Sequence, residues 1–119
     1  MATQWAEEIA ITELSDEPAL SDELAAVIER VREAGKNQAP HLVLNLARVS
    51  YVNSTNIAQL LQVRHALAEH GKRLRLCSVN QDVWSVLNIS GLDRVFQFAP
   101  DPLTALAGLQ LEESDGRGG

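Results

Sequence analysis

The run Leu42-Val43-Leu44-Asn45-Leu46 constrains this chain more than any other stretch. It is too short for a buried helix and suits a strand covered on both faces, which belongs to a parallel sheet flanked by helices. Its neighbours supply those helices. Upstream, Ser21 precedes Asp22, Glu23 and a helical stripe of Leu24, Val27, Ile28 and Val31, with Gly35 as a natural stop. Acids in that first turn suit the positive end of a helix dipole. Downstream, Asn53-Ser54-Thr55-Asn56 is rich in capping residues and leads into Ile57, Leu60, Leu61, Leu67 and Ala68 before Gly71.

The alternation of strand and helix continues along the chain. From Trp5 to Leu14, Ile9 and Ile11 alternate with polar neighbours and read as one half-buried strand, followed by a turn at Ser15-Asp16-Glu17-Pro18. Leu74, Leu76 and Val79 read as another strand, and Val83, Val86 and Leu87 as a short helix stopped by Ser90-Gly91. Val95-Phe96-Gln97-Phe98 reads as a last strand, and Pro100-Asp101-Pro102 opens a helix through Leu103, Leu106 and Leu109. Short connections of this kind imply right-handed crossovers. The expected class is α/β, with a mostly parallel sheet of four to five strands and about four helices. Residues 1–111 form the domain. Residues 112–119, Glu-Glu-Ser-Asp-Gly-Arg-Gly-Gly, have nothing to bury and are expected to be a disordered acidic tail.

A length of 119 residues suits one domain that closes its own core without a disulfide or metal. The formal charge is −6, and residues 1–33 alone carry −7. That balance argues against nucleic acid or an anionic membrane as the main partner, since both need a basic footprint. Met1 to Glu8 is polar and acidic, unlike a signal peptide, and no apolar stretch is long enough to span a bilayer. Cys77 is the only cysteine and reads as a small buried hydrophobe. The cytoplasm is the expected compartment.

Enzyme motifs fail one by one. The glycines are scattered rather than gathered in a phosphate loop. His65 and His70 are five apart and leave their helix on different faces, so they do not form a zinc pair with each other or with His41. Ser54 lacks a nucleophile elbow. The informative segment is Val52-Asn53-Ser54-Thr55-Asn56, a hydroxyl pair where a strand end feeds a helix start. Ligands and partners gather at that edge of open α/β sheets. A phosphoryl group there meets free backbone N–H groups and adds nearly two negative charges. The same residue types also serve as ordinary helix caps.

Three stretches together make the chain resemble the STAS domains, the family of anti-sigma factor antagonists and sulfate-transporter cytoplasmic domains. They are Leu42 to Leu46, then Tyr51-Val52-Asn53-Ser54-Thr55-Asn56-Ile57, then Leu87-Asn88-Ile89-Ser90-Gly91-Leu92-Asp93-Arg94-Val95-Phe96. The resemblance covers roughly Ile9 to Leu109. It implies a single STAS-like domain without catalytic residues, metal or cofactor. Antagonists of the family carry Asp-Ser-Ser/Thr-Gly at the second stretch. The first hydroxyl is phosphorylated by an anti-sigma kinase, and the unphosphorylated form binds that kinase.

Carried across, the phosphoacceptor falls on Ser54, with Thr55 as the second candidate. Asn53, Ser54, Thr55, Asn56 and Trp84 are the candidate partner-binding residues. The expected partner is an anti-sigma factor or serine kinase, in partner switching that regulates transcription; the oligomeric state is open. Asn53 stands where the family has an acid, and Asn56 where it has glycine, adding a side chain at the point of partner approach. The family's N-terminal strand pair is shortened, since only Trp5–Leu14 reads as a strand. Trp84 lies on the flank of its helix, either packed against the sheet or serving as an exposed anchor. Trp5 reads as a cover for the sheet edge. The alternative function is a constitutive, unphosphorylated scaffold or accessory subunit of a transporter or signalling complex.

Overall fold

The structure, a computed structural model, describes residues 2–5, 8–35 and 38–118, with the backbone alone at 2–5 and 112–118. The strands are β1 (Ala2–Trp5), β2 (Ile9–Ser15), β3 (His41–Arg48), β4 (Leu74–Cys77) and β5 (Gln97–Ala99). The helices are α1 (Ala19–Glu33), α2 (Ser54–Glu69), α3 (Gln81–Ile89) and α4 (Pro102–Gly118), with a short 3-10 turn at Leu92–Arg94. The sheet order follows the chain, β1-β2-β3-β4-β5. Strands β2 to β5 run parallel, and β1 pairs antiparallel with β2 at the edge.

The apolar run behaves as its composition requires. Leu42, Leu44 and Leu46 of β3 point to one face of the sheet, where they meet Leu24, Val27 and Ile28 of α1 and Leu60, Val63 and Leu67 of α2. Val43 points to the other face and packs with Ile9, Cys77 and the α4 residues Ala105 and Leu109. Both clusters exclude water, so truncating a fully buried leucine here costs about 2–5 kcal/mol. Burial pushes the Cys77 thiol up to about 11, which keeps it protonated and inert at neutral pH.

Two expectations change. The single strand from Trp5 to Leu14 is in fact a strand pair, in which Trp5 lies opposite Ala10. Four residues, Ala-Thr-Gln-Trp, are too few and too polar to show a period of their own. The side chain of Trp5 lies outside the described residues, so its expected role over the sheet edge does too. The stretch from Glu112, expected to be a disordered tail, continues α4 as helical backbone to Gly118. A helix already nucleated on the sheet adds one hydrogen bond per residue, and nothing after Pro102 is a proline to stop it.

The four βα connections place the starts of α1, α2, α3 and α4 at one end of the parallel strands. Loop termini tie that end together. Ser50 donates to Asp16 through both its backbone N–H and its hydroxyl, each at 2.7 Å, joining the β3–α2 loop to the β2–α1 loop. The Asn80 amide donates to the Val49 carbonyl at 2.9 Å, joining the β4–α3 loop as well.

Candidate functional site

The β3–α2 connection is anchored by Val49 and Val52, each 1% exposed. Asn53 then leaves the loop in an extended conformation and caps α2. Its side-chain oxygen accepts from the Asn56 N–H at 2.8 Å, and the Asn56 side-chain oxygen accepts from the Asn53 N–H at 3.0 Å. This reciprocal pair is a capping box built from two asparagines. It satisfies two backbone donors that every helix start leaves open.

The box leaves both hydroxyls outside the cap. Ser54 and Thr55, the first two residues of α2, are exposed, and neither hydroxyl has a partner among the described residues. The capping that Ser and Thr commonly perform is done by their asparagine neighbours. No acidic residue sits in the first turn of α2, so its positive dipole end is unneutralised from within the helix.

Asn56 corrects an expectation. The sequence pattern places it among the partner-facing side chains, whereas in the structure it is 1% exposed and turned inward, with its amide donating to the Ser21 hydroxyl at 3.4 Å. A capping-box residue must fold back over the helix start, which takes it off the surface. Asn53 is half-buried, and its amide donates to the Glu17 carboxylate at 3.5 Å.

That contact brings in residues which the sequence pattern left in a turn. Glu17 also accepts from the Ser21 N–H at 2.7 Å and from the Ser21 hydroxyl. These Ser21 bonds, with smaller help from Asn56 and Asn53, hold its carboxyl below the ordinary range. The Ser50 hydrogen bonds lower Asp16 in the same way. A carboxylate thus stands beside Asn53 although position 53 has none of its own. The only available signal was the Asp16-Glu17-Pro18 stretch, whose proximity to Asn53 depends on parallel pairing of β2 with β3.

Trp84 is half-buried. Its ring meets the edge of Phe98 at a centroid separation of 5.0 Å and an interplanar angle of 82°. The two rings wall an open groove of about 360 Å³ completed by Val79, Gln81, Ala99 and Pro100. Trp84 is thus both packed against the sheet and accessible along one side. Tyr51, 61% exposed in the loop before Ser54, is a surface aromatic that the site reading did not include. Its signal was an aromatic residue in a strand-to-helix connection.

Among the described residues, no group of three or more His, Cys, Asp or Glu is placed to hold a metal ion. His65 faces Glu69 at 3.7 Å on the helix surface, and the buried His41 accepts from the Arg73 N–H at 3.0 Å through Nδ1. No helix among the described residues is long and apolar enough to cross a membrane.

A five-stranded sheet with four parallel strands and a hydroxyl pair opening the helix after its central strand is the architecture of a STAS domain. The STAS domain family model matches residues 7–105, and this chain belongs to that family. An anti-sigma F factor antagonist from Paenibacillus polymyxa is 25% identical over 76 residues, which is 64% of this chain and 65% of that protein. An anti-sigma-factor antagonist (STAS) domain protein from Planctomyces limnophilus superimposes with a TM-score of 0.77 at 14% identity, covering 92% of this chain and 97% of the other. A sulfate transporter family protein from Wolinella succinogenes superimposes with a TM-score of 0.66 at 23% identity, covering 87% and 85%. The chain is a STAS domain with sequence similarity to an anti-sigma factor antagonist.

Proposed function

We propose that this chain is a non-enzymatic, cytoplasmic interaction module that binds an anti-sigma factor or serine kinase through the α2 tip and is switched by phosphorylation at Ser54. One observation carries the reading: Asn53 and Asn56 cap the helix, leaving the Ser54 and Thr55 hydroxyls exposed without a structural task. Thr55 is the second acceptor candidate. Asn53, Tyr51 and the Trp84 groove extend the contact surface around them. Phosphorylation of Ser54 adds roughly −1.5 to −2 charges to a surface that already holds Asp16 and Glu17. The added repulsion and desolvation cost then displaces the partner.

Ser54→Asp is expected to weaken capture of a co-purifying partner by about tenfold or more, a difference of about 1.4 kcal/mol. Ser54→Ala is expected to bind constitutively, and intact-mass measurement of protein from its native cell is expected to show a species heavier by one phosphoryl group. Equal capture by both variants excludes the switch.

A second reading is a constitutive scaffold or accessory subunit of a transporter or signalling complex. Asn53 and Asn56 favour it, because the acid and the glycine that flank the phosphorylated hydroxyl pair in the antagonists are both replaced here. A single unmodified mass, with Ser54→Asp binding as well as the parent chain, selects this reading.

A further inference from the structure

We propose that the cleft between the second half of α2 and the start of β5 binds a small phosphate-bearing anion, of the size and charge of a diphosphate. The cleft is about 200 Å³, and four cations line it: Arg64 of α2, Lys72 and Arg73 of the turn that follows, and Arg75 of β4. Phe96 and Gln97 line it where the chain enters β5, and none of its lining residues is acidic. Arg64 stands about 15 Å along α2 from Ser54, so the cleft is separate from the helix tip.

Four of the ten Lys and Arg of a chain of net charge −6 meet here. A helix C-terminus favours a cation beside it, yet Arg64 is more than a turn inside α2 and Arg75 is inside β4, so the end of α2 does not account for the group. The side chains of Arg64 and Lys72 have no hydrogen bond or ion pair among the described residues, and Glu69, the nearest acid in sequence, faces His65 at 3.7 Å. Arg75 is only 6% exposed. Its burial, and then the Arg73 charge, pull its guanidinium below the usual value, so positive charge is crowded here and a bound anion relieves it. Residues 1–33, which carry −7, supply β1, β2 and α1. Strand β2 is two strands from β4, about 10 Å, which exceeds the screening length of about 8 Å at physiological salt.

The backbone beneath the cations is fixed before any ligand arrives. Gly71, at φ +70°, turns the chain out of α2, and the Lys72 N–H donates to the Leu67 carbonyl at 2.9 Å. The Arg73 N–H donates to the buried His41 at 3.0 Å, and the Arg73 carbonyl accepts from the Leu42 N–H at 2.9 Å. Backbone held on both sides lowers the ordering cost of binding. Volume and charge choose the occupant. The cleft is smaller than the about 300–1,000 Å³ of a site for a drug-sized molecule, whereas a guanidinium fork matches phosphate oxygens in pairs. Net acidity elsewhere opposes an anionic bilayer or an acidic protein laid broadly over the domain, and admits a small free anion.

Calorimetric titration of the full chain with sodium pyrophosphate at low ionic strength tests this directly. The expected result is one saturable site per chain with a Kd at or below about 1 mM. Arg64→Gln combined with Lys72→Gln is expected to weaken it by about tenfold or more, with thermal unfolding that matches the parent. Arg30→Gln combined with Arg32→Gln removes the same charge from α1 and is expected to change the Kd by less than about threefold. A parent chain without saturable binding overturns the proposal. So does binding indifferent to Arg64→Gln with Lys72→Gln, or weakened equally by the α1 pair. Hexaglutamate bound at least as tightly as pyrophosphate also overturns it and assigns the cleft to an acidic protein segment. Co-pelleting with phosphatidate-containing vesicles that pyrophosphate fails to reverse overturns it in favour of a lipid surface.

Discussion

Helices α2 and α3 start in the same way and then diverge. Each follows a parallel strand, each is capped by an asparagine, and each cap accepts from the N–H three residues on at 2.8 Å. In α3 that third residue is Val83, a fully buried core side chain, and the first turn carries Asp82 against the helix dipole. In α2 the third residue is Asn56, buried yet polar, and the first turn holds no acid, only the exposed Ser54 and Thr55. The start of α3 is completed by apolar burial and a charge. The start of α2 is completed by a hydrogen-bonded pair that leaves its outermost residues unused, and residues without a structural task are the ones free to serve recognition.

The sharpest way to break this comparison is to remove the buried polar member. Asn56→Ala deletes the side-chain oxygen that accepts from the Asn53 N–H and the amide that donates to the Ser21 hydroxyl, leaving the Asn53 N–H without its partner at a part-buried helix start, at a cost of about 2–3 kcal/mol in urea unfolding. A cost below about 0.5 kcal/mol would show that the box is not what holds the tip. Asn80→Ala removes both the α3 cap and the tether to Val49, and is expected to cost about 1–2 kcal/mol in the same measurement. Ser54→Asp should leave stability unchanged or raise it by up to about 0.5 kcal/mol, because an acid there complements the open dipole end. Ser54→Ala should shift it by less than about 0.5 kcal/mol, as for a surface position without partners.

Acid titration sharpens the same contrast with a smaller effect. Asp16 and Glu17 are held below their ordinary values of 3.8 and 4.5 by bonds that form only in the folded loops. A carboxyl lowered by folding stabilises the fold above its unfolded value and stops doing so as pH falls through its folded value. Stability is therefore expected to be level near neutrality and to decline below about 4.5. Asp16→Asn together with Glu17→Gln should flatten that decline, as read from unfolding midpoints against pH.

Much of the architecture was legible because apolar periodicity records burial. The run at Leu42 and the stripes of α1 and α2 depend only on which side chains avoid water. Strand β1 was not legible, since an edge strand of four residues is specified by its pairing with β2 rather than by a pattern of its own. The extension of α4 past Leu109 was hidden because glycines and acids carry no burial signal while helix propagation still proceeds through them. At the site, the Ser54-Thr55 pair was visible as a motif. Asn53 and Asn56 looked like departures from that motif. Their joint role as the cap appears only when the helix start is built, and the approach of Glu17 only when parallel strands align two loops distant in sequence.

The central claim is that Ser54 contributes to recognition and not to the fold. The most direct measurement compares, for Ser54→Asp against the parent chain, urea unfolding and the retention of a co-purifying protein on the immobilised domain. The account predicts an unfolding midpoint for Ser54→Asp at or slightly above that of the parent and retention reduced by about tenfold or more. Unimpaired retention, or a loss of retention that merely follows a loss of stability, would contradict it.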